Sequence, residues 1–217
     1  GCRMSRAVTT DDRGVRAVRD YGLPGQVQMW ESARDAVRDE IDANAVAAGG
    51  WFTQYYGTDE VDASLLVLPA IGYCEPDDPR MLATVERIER TLMVDGLLHR
   101  YRAETGVDGL AGTEHPFLAC SFWLVEQYAR TGRLDDAESL LDRLCGVAND
   151  LGLLSEEYDV HDQRQAGNPC ASRKALNKAR PEGACGLAST YVFPAARSSS
   201  ATRRSAETTS STWIRDR

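Results

Sequence analysis

Apolar residues recur at spacings of three and four along most of residues 14–168, and this period restricts the chain to folds built mainly from helices. Segment 26–48 shows the pattern most clearly, because one apolar stripe runs along it while charged residues fill its other faces. Segments 81–93 and 135–149 are amphipathic in the same way, and segment 116–131 is apolar enough to be a mostly buried helix. With almost no alternating pattern elsewhere, we predict an all-α fold of five or six helices.

Glycine and proline mark where several of these helices begin and end. Gly22 follows one helix, and Pro79 stands at the first position of another, where its missing N–H costs nothing. Segment 61–72 is apolar on nearly every side, so we predict a helix that is buried all round and kinked or broken at Pro69. Segment 153–167 has no regular pattern and is predicted to be an irregular loop.

The periodic part of the chain is flanked by two stretches of different character. Residues 1–13 show no periodicity, which predicts an irregular N-terminus before a helical domain at 14–168. Residues 169–217 contain 8 serines, 5 threonines and both lysines of the protein, with little apolar patterning. This composition is typical of segments that bury too little apolar surface to fold, so we expect a low-complexity tail that is disordered or frameshifted.

The charge distribution argues against nucleic acid as a partner. Residues 1–168 carry 16 arginines and 30 acidic residues, a net charge of −14, whereas residues 169–217 carry +6. An acidic body of this kind is repelled by phosphate backbones. No apolar run approaches the ~18 residues that a membrane span needs, so we do not expect a membrane as a partner either.

The six cysteines and three histidines are too scattered to predict a metal centre. The cysteines form no C-x-x-C pair, and their spacing suits neither a zinc site nor a compact disulfide framework. Free thiols are typical of reducing compartments, and the N-terminus lacks the apolar core of a secretory signal. We therefore expect a cytoplasmic protein that needs no metal and no other cofactor.

Several short strings follow one another in a fixed order between residues 52 and 168. They are FTQYYG at 52–57, VDASLL at 61–66, PDDPR at 76–80, VDGL at 94–97 and again at 107–110, FLACSFWL at 117–124, NDLGLLSEEYD at 149–159 and RQAGN at 164–168. Each string alone is weak, but their order and spacing resemble the C-terminal part of glycoside hydrolase family 15. This family comprises the glucoamylases, the glucodextranases and the bacterial or archaeal trehalases.

The resemblance implies an (α/α)6 barrel, which is twelve helices in two concentric rings with the site in loops at one end. Five or six helices cannot close such a ring, so we expect a partial barrel. The resemblance also implies an inverting glycosidase of carbohydrate metabolism that acts on small α-glucosides. In such enzymes one carboxylic acid protonates the leaving oxygen while a second, ~6.5–9.5 Å away, activates water on the opposite face of the sugar.

The resemblance also assigns roles to particular residues. The family's base is the first Glu of a Ser/Ala-Glu-Glu/Gln-Tyr/Phe motif, which places the candidate base at Glu156 and candidate substrate contacts at Glu157 and Tyr158. Glu114 and Phe117 lie where the family has a substrate-facing loop, so Phe117 could face a sugar ring and Glu114 could bind hydroxyls. The alternatives remain open: a solvated surface pair at Glu156 and Glu157, a core staple at Phe117 and a helix cap at Glu114.

The family's general acid lies in a Trp-Glu-containing loop upstream of the first matched helix. Trp30 and Glu31 are similar in composition, but they fall inside an amphipathic helix, so we interpret Glu31 as a solvated helix residue. The family pattern also stops abruptly at both ends of the chain. We therefore expect a fragment that lacks the general acid and has little or no hydrolase activity by itself.

A different class of function remains as the alternative. Segment 123–144 superficially resembles one tetratricopeptide hairpin, which would make the chain a helical-repeat module that binds other proteins. Such arrays need at least three units at a period near 34 residues, and the sequence contains no second copy.

Overall fold

Helices make up most of the computed structural model, which describes residues 2–102 and 115–171. The helices are α1 (Cys2–Tyr21), α2 (Val27–Asn44), α3 (Pro79–Leu92), α4 (Leu118–Arg130) and α5 (Leu134–Gly146), with a short 3₁₀ helix at Ala63–Val67. Two antiparallel hairpins complete the described part: β1 (Met93–Val94) with β2 (Leu97–Leu98), and β3 (Leu154–Asp159) with β4 (Arg164–Ala171). The predictions of helices within segments 26–48, 81–93, 116–131 and 135–149 are confirmed.

The N-terminus differs from the prediction. Residues 2–13, predicted to be irregular, form the first turns of α1. Val8 and Val15 are both 3% exposed, and α1 packs along α2. Two buried valines seven residues apart give a weak signal in the sequence, because the contacts that stabilise this helix come from a neighbouring helix.

Segment 61–72 is only partly buried, and it is not one helix. The side chain of Asp62 accepts a hydrogen bond from Ser64 N at 2.7 Å, which starts the 3₁₀ helix Ala63–Val67. The chain then continues through turns past Pro69 to Gly72, which has a φ of +79°. Proline supplies no N–H to continue a helix, and a φ in this region favours glycine, so the backbone turns where an apolar pattern predicted a continuous helix.

Segment 153–167, predicted to be an irregular loop, instead contains β3, a turn and the start of β4. The first three residues of the predicted tail, 169–171, belong to β4, and residues 172–217 lie outside the described residues. The prediction of an all-α class is therefore right about the dominance of helix and wrong about the absence of strands. Because a hairpin rather than another helix follows α5, the described residues do not continue the helical-repeat pattern.

The core lies among α3, α4, α5 and the loops that cover them. Its fully buried side chains include Met81, Ile88, Leu92, Leu97, Leu98, Leu118, Leu124 and Leu144. A buried hydroxyl ties one covering loop to α3: Thr84 Oγ1 accepts a hydrogen bond from Phe52 N at 2.8 Å and donates one to Arg80 O at 2.6 Å. Among the described helices, none is long and apolar enough to cross a membrane.

We expect Thr84→Val to lower the free energy of unfolding by about 1–3 kcal/mol, because it leaves the buried N–H of Phe52 without a partner. Thr91→Val is the matched control. Thr91 lies on the same helix and donates to Arg87 O at 2.7 Å, but it is half-buried and accepts no backbone N–H in the described structure. We expect the control to cost about 0.5 kcal/mol or less. Urea unfolding followed by circular dichroism measures both changes, and equal losses would contradict this explanation.

Candidate active site

A β-bulge presents Glu156 in the middle of the β3–β4 hairpin. Ser155 pairs with Pro169 and Glu157 pairs with Ala166, so two residues of β4, Gly167 and Asn168, lie opposite Glu156 alone. Gly167 has a φ of +71°, a backbone conformation that side chains other than glycine's rarely adopt. A glycine in this conformation at the first position of a bulge is a recognised bulge type, and bulges often re-aim a side chain next to a functional site.

The side chain of Glu156 lies close to this glycine. A Cβ atom placed on Gly167 would stand 3.3 Å from Glu156 Cβ and 3.6 Å from Glu156 Oε2. Glycine is therefore favoured at this position for two reasons: its positive φ permits the bulge, and a Cβ there would approach Glu156 Cβ more closely than usual. Glu156 itself is half-buried.

Backbone hydrogen bonds fix β3 to the start of α4. Glu157 forms an isolated antiparallel bridge with Phe117, and Tyr158 N donates to Pro116 O at 3.1 Å. On its other side Phe117 N donates to Leu98 O at 2.8 Å, which connects the junction to β2. Three residues that the sequence predicts as site residues, at positions 117, 157 and 158, are thus brought together by main-chain contacts.

Side chains that the sequence analysis did not single out support the same hairpin. Ser155 Oγ donates a short hydrogen bond to Glu157 O across the bulge. Gln165 Nε2 donates to Val147 O at 2.9 Å and to Leu153 O at 2.7 Å, and so holds β4 to the connection that precedes β3. Serine and glutamine are common at the surface, so only their positions within the matched strings could have indicated these roles.

Asp159, at the end of β3, is the site's clearest electrostatic feature. Its Oδ1 accepts hydrogen bonds from the backbone N–H groups of Asp162 and His161, both at 3.1 Å, and these bonds close the turn to β4. The pKa of Asp159 is lowered, first by the Asp162 N–H and then by the His161 N–H, by His115 and by Arg164. His115 Nε2 lies 3.8 Å and Arg164 Nε 3.5 Å from its Oδ2. The aspartate is therefore an ionised anchor for the turn, of a kind that an Asx-turn pattern after a strand could have predicted.

The predicted substrate contacts differ in their exposure. Glu157 is half-buried, and Phe117 is half-buried and packed against the core, so the core-staple interpretation of Phe117 accounts for part of its ring. Tyr158 is 8% exposed, with the guanidinium carbon of Arg143 6.0 Å from its ring centroid. Glu114 lies outside the described residues. Substrate binding by these four residues stays a prediction.

The Trp-Glu pair of α2 has a structural role. Glu31 Oε1 lies 2.6 Å from Arg19 Nη2, which joins α2 to α1, and the carboxylate is partly buried rather than fully solvated. Trp30 packs so closely against Gly14 and Gly25 that a Cβ at either position would stand 3.0 Å or less from its ring. Both side chains hold α1 against α2. Within the described residues, no group of three or more His, Cys, Asp or Glu side chains could hold a metal ion.

Comparison with known proteins places this hairpin and its helices in one family. The sequence model of glycosyl hydrolases family 15 matches residues 4–171, a longer stretch than the 14–168 predicted. A trehalase of Mycobacterium tuberculosis is 38% identical over 157 residues, which are 72% of this chain and 23% of that protein. A trehalase of Thermoplasma volcanium is 38% identical over 165 residues, 72% of this chain and 25% of that protein. The chain thus spans about a quarter of the length of these relatives.

Solved structures show the same fold relationship. A bacterial glucoamylase complexed with acarbose superposes with a TM-score of 0.59 at 19% identity, covering 71% of this chain and 28% of that chain. A glycosidase variant in complex with glucose gives a TM-score of 0.59 at 22% identity, covering 71% of this chain and 41% of that chain. Because the family model covers most of the sequence and two trehalases share more than a third of its aligned residues, the chain belongs to family 15 of the glycosyl hydrolases.

Proposed function

We propose that this chain provides the base-bearing part of an inverting glycosidase that acts on small α-glucosides, with trehalose as the first substrate to test. The similarity to trehalases supports the choice of substrate. The observation that carries the proposal is the bulged hairpin, which holds a half-buried carboxylate at Glu156 over a glycine and joins it to the start of a buried helix.

Glu156 would act as the general base. Its carboxylate accepts a proton from a water molecule while the water oxygen attacks the anomeric carbon, and the glycosidic bond breaks on the opposite face. A second carboxylic acid gives its proton to the leaving oxygen, so an α-glucoside yields β-glucose and an alcohol. The base must keep a fixed position relative to the water, and the two-to-one bulge with its short Ser155 bond is suited to that task.

The neighbouring residues suit the binding of a sugar. The ring of Phe117 is half-buried, which leaves part of an aromatic face available for the CH groups of a pyranose. Glu157 can accept hydrogen bonds from hydroxyls, and we propose Tyr158, which is 8% exposed, as a further contact. We propose Glu114 as a further hydroxyl-binding residue from the sequence alone.

We also propose that the five helices form part of an (α/α)6 barrel whose site lies at the end where α4 begins. The similarity to a glucoamylase supports this architecture, and the hydrogen bonds of Pro116 and Phe117 put the Glu156 hairpin at that end of α4. We propose that Glu31 is not the general acid of the pair, since its carboxylate forms an ion pair with Arg19 that joins α1 to α2.

The leaving group provides the first test. α-Glucosyl fluoride needs little protonation to depart, whereas trehalose needs a general acid, whose assistance is typically worth ~10²–10⁴-fold in rate. We expect the 217-residue chain to release fluoride and form β-glucose first, while its trehalose hydrolysis remains slower by that factor. Glu156→Gln should lower fluoride release by about 100-fold or more. Glu138→Gln, on the exposed face of α5, is the charge-matched control and should change nothing.

Each contrary result of this experiment has a definite meaning. Trehalose cleavage as fast as fluoride release would show that the chain holds its own acid. If α-glucose appears first in the proton NMR spectrum, the mechanism is retaining. Fluoride release that survives Glu156→Gln, or no release at all by the folded chain, would overturn the assignment of the base.

A second test concerns the glycine beneath the base. Gly167→Ala should lower the rate constant for fluoride release by about 10-fold or more with little change in KM, because the added Cβ strains the bulge and displaces Glu156. Gly50→Ala is the matched control: its φ is +87°, but a Cβ there would meet nothing within 4 Å. Both variants should lose about 1 kcal/mol of stability. If the two variants lose activity equally, the space beside Gly167 has no role in positioning Glu156.

A further inference from the structure

An open cavity of about 300 Å³ lies beside α5, and we call it the α5 groove. It lies between the turn that joins β1 to β2 and one face of α5. Its principal lining residues are Met93, Asp95, Tyr128, Ser139, Leu140 and Arg143. The volume is at the lower end of the range found for small-molecule sites, enough for one or two rings.

Three polar side chains in the α5 groove are available to a ligand. Asp95, Ser139 and Arg143 make no hydrogen bond or ion pair within the residues that the structure describes. Asp95 occupies a left-handed conformation, with a φ of +48°, in the tight turn between β1 and β2. The groove therefore offers one carboxylate acceptor, one guanidinium donor and one hydroxyl that can do either.

Two further residues that line the α5 groove, Tyr128 and Asp136, belong to a polar network with Glu89 and Arg133. Arg133 Nη2 lies 2.9 Å from Glu89 Oε1, and Arg133 Nε lies 2.7 Å from Asp136 Oδ2. The guanidinium carbon of Arg133 lies 4.0 Å from the ring centroid of Tyr128. The hydroxyl of Tyr128 donates a short hydrogen bond to Glu89. This network joins α3, α4 and α5, so it holds together the helices beside the groove.

The charges of the α5 groove favour a neutral ligand. Asp95 and Arg143 have opposite charges, and the charge of Asp136 is compensated by Arg133. An anion would meet the Asp95 carboxylate, and a cation would meet the Arg143 guanidinium. Donor and acceptor groups beside the apolar side chains of Met93 and Leu140 match a molecule with both hydroxyls and CH faces.

We propose that the α5 groove is a second binding site, for a neutral carbohydrate of one or two rings, separate from Glu156. Asp95 accepts hydrogen bonds from sugar hydroxyls, Arg143 donates to hydroxyl or ring oxygens, and the half-buried Met93 contacts a CH face. The site does not rest on the proposed hydrolysis, since none of its residues takes part in that reaction. The guanidinium carbon of Arg143 also lies 6.0 Å from the ring centroid of Tyr158. Arg143 would therefore connect a bound sugar to a residue two positions after the candidate base.

Nitrogen-15 NMR titration of the full 217-residue chain with trehalose and with maltose tests this site. We expect saturable shifts at millimolar sugar for the amide signals of Ser139 and of Gly96, which also lines the groove. Asp95→Asn should weaken binding about tenfold, because the charge-assisted hydrogen bond is lost while asparagine tolerates the turn conformation. Arg143→Met should weaken it to a similar degree. Asp142→Asn, an equal charge change on α5 outside the groove, should leave the affinity within about twofold.

Two further measurements test whether sugar binding is independent of Glu156 and whether the groove prefers phosphate to sugar. Glu156→Gln should leave the Gly96 and Ser139 shifts unchanged, so a failure of the proposed hydrolysis would not affect this result. Inorganic phosphate should not compete with the sugar. The proposal is overturned if phosphate shifts these signals more strongly than sugar does, if no saturation occurs by about 50 mM sugar, or if Asp142→Asn weakens binding as much as Asp95→Asn.

Discussion

The hydrogen bonds around Pro116 and Phe117 are the constraint on which the rest of the site depends. Phe117 N donates to Leu98 O and Pro116 O accepts from Tyr158 N, so the two hairpins meet at the first residues before α4. Leu98 N in turn donates to the buried Ser121 Oγ inside α4 at 2.9 Å. A strand with little apolar patterning of its own is thereby held by a helix that is anchored in the core, which is how a rigid element positions a functional one.

The same dependence explains what the sequence could and could not predict. The helices α2 to α5 were predictable because each carries its own apolar stripe, which a 3.6-residue period reveals. The β3–β4 hairpin was not, because its sequences LSEEYD and RQAGNPCA contain a proline, a glycine and no sustained alternation. Its partners are non-local, and single-sequence patterns do not record non-local pairing.

Within the candidate site, the resemblance to a family indicated Glu156 but not the means of holding it. Gly167 was part of a matched string, yet nothing in the sequence showed that it lies beside the Glu156 carboxylate. A Cβ atom added to Gly167 would stand 3.6 Å from Glu156 Oε2. The roles of Ser155 and Gln165 depend equally on the register of the hairpin. A register with two residues opposite one cannot be derived from composition or period, because it is set by the contacts at both edges of the strand.

The α5 groove and the hairpin share one helix, and this limits how strongly they can influence each other. The guanidinium carbon of Arg143 lies 6.0 Å from the ring centroid of Tyr158, and Arg143 also lines the groove. A sugar that binds the guanidinium differently in two side-chain positions would therefore bias the surroundings of Tyr158, two residues after Glu156. The coupling cannot exceed the difference in affinity between those positions. A single exposed guanidinium supplies a small difference, so an occupied groove should alter the position of the candidate base Glu156 slightly and leave the fold of the hairpin unchanged.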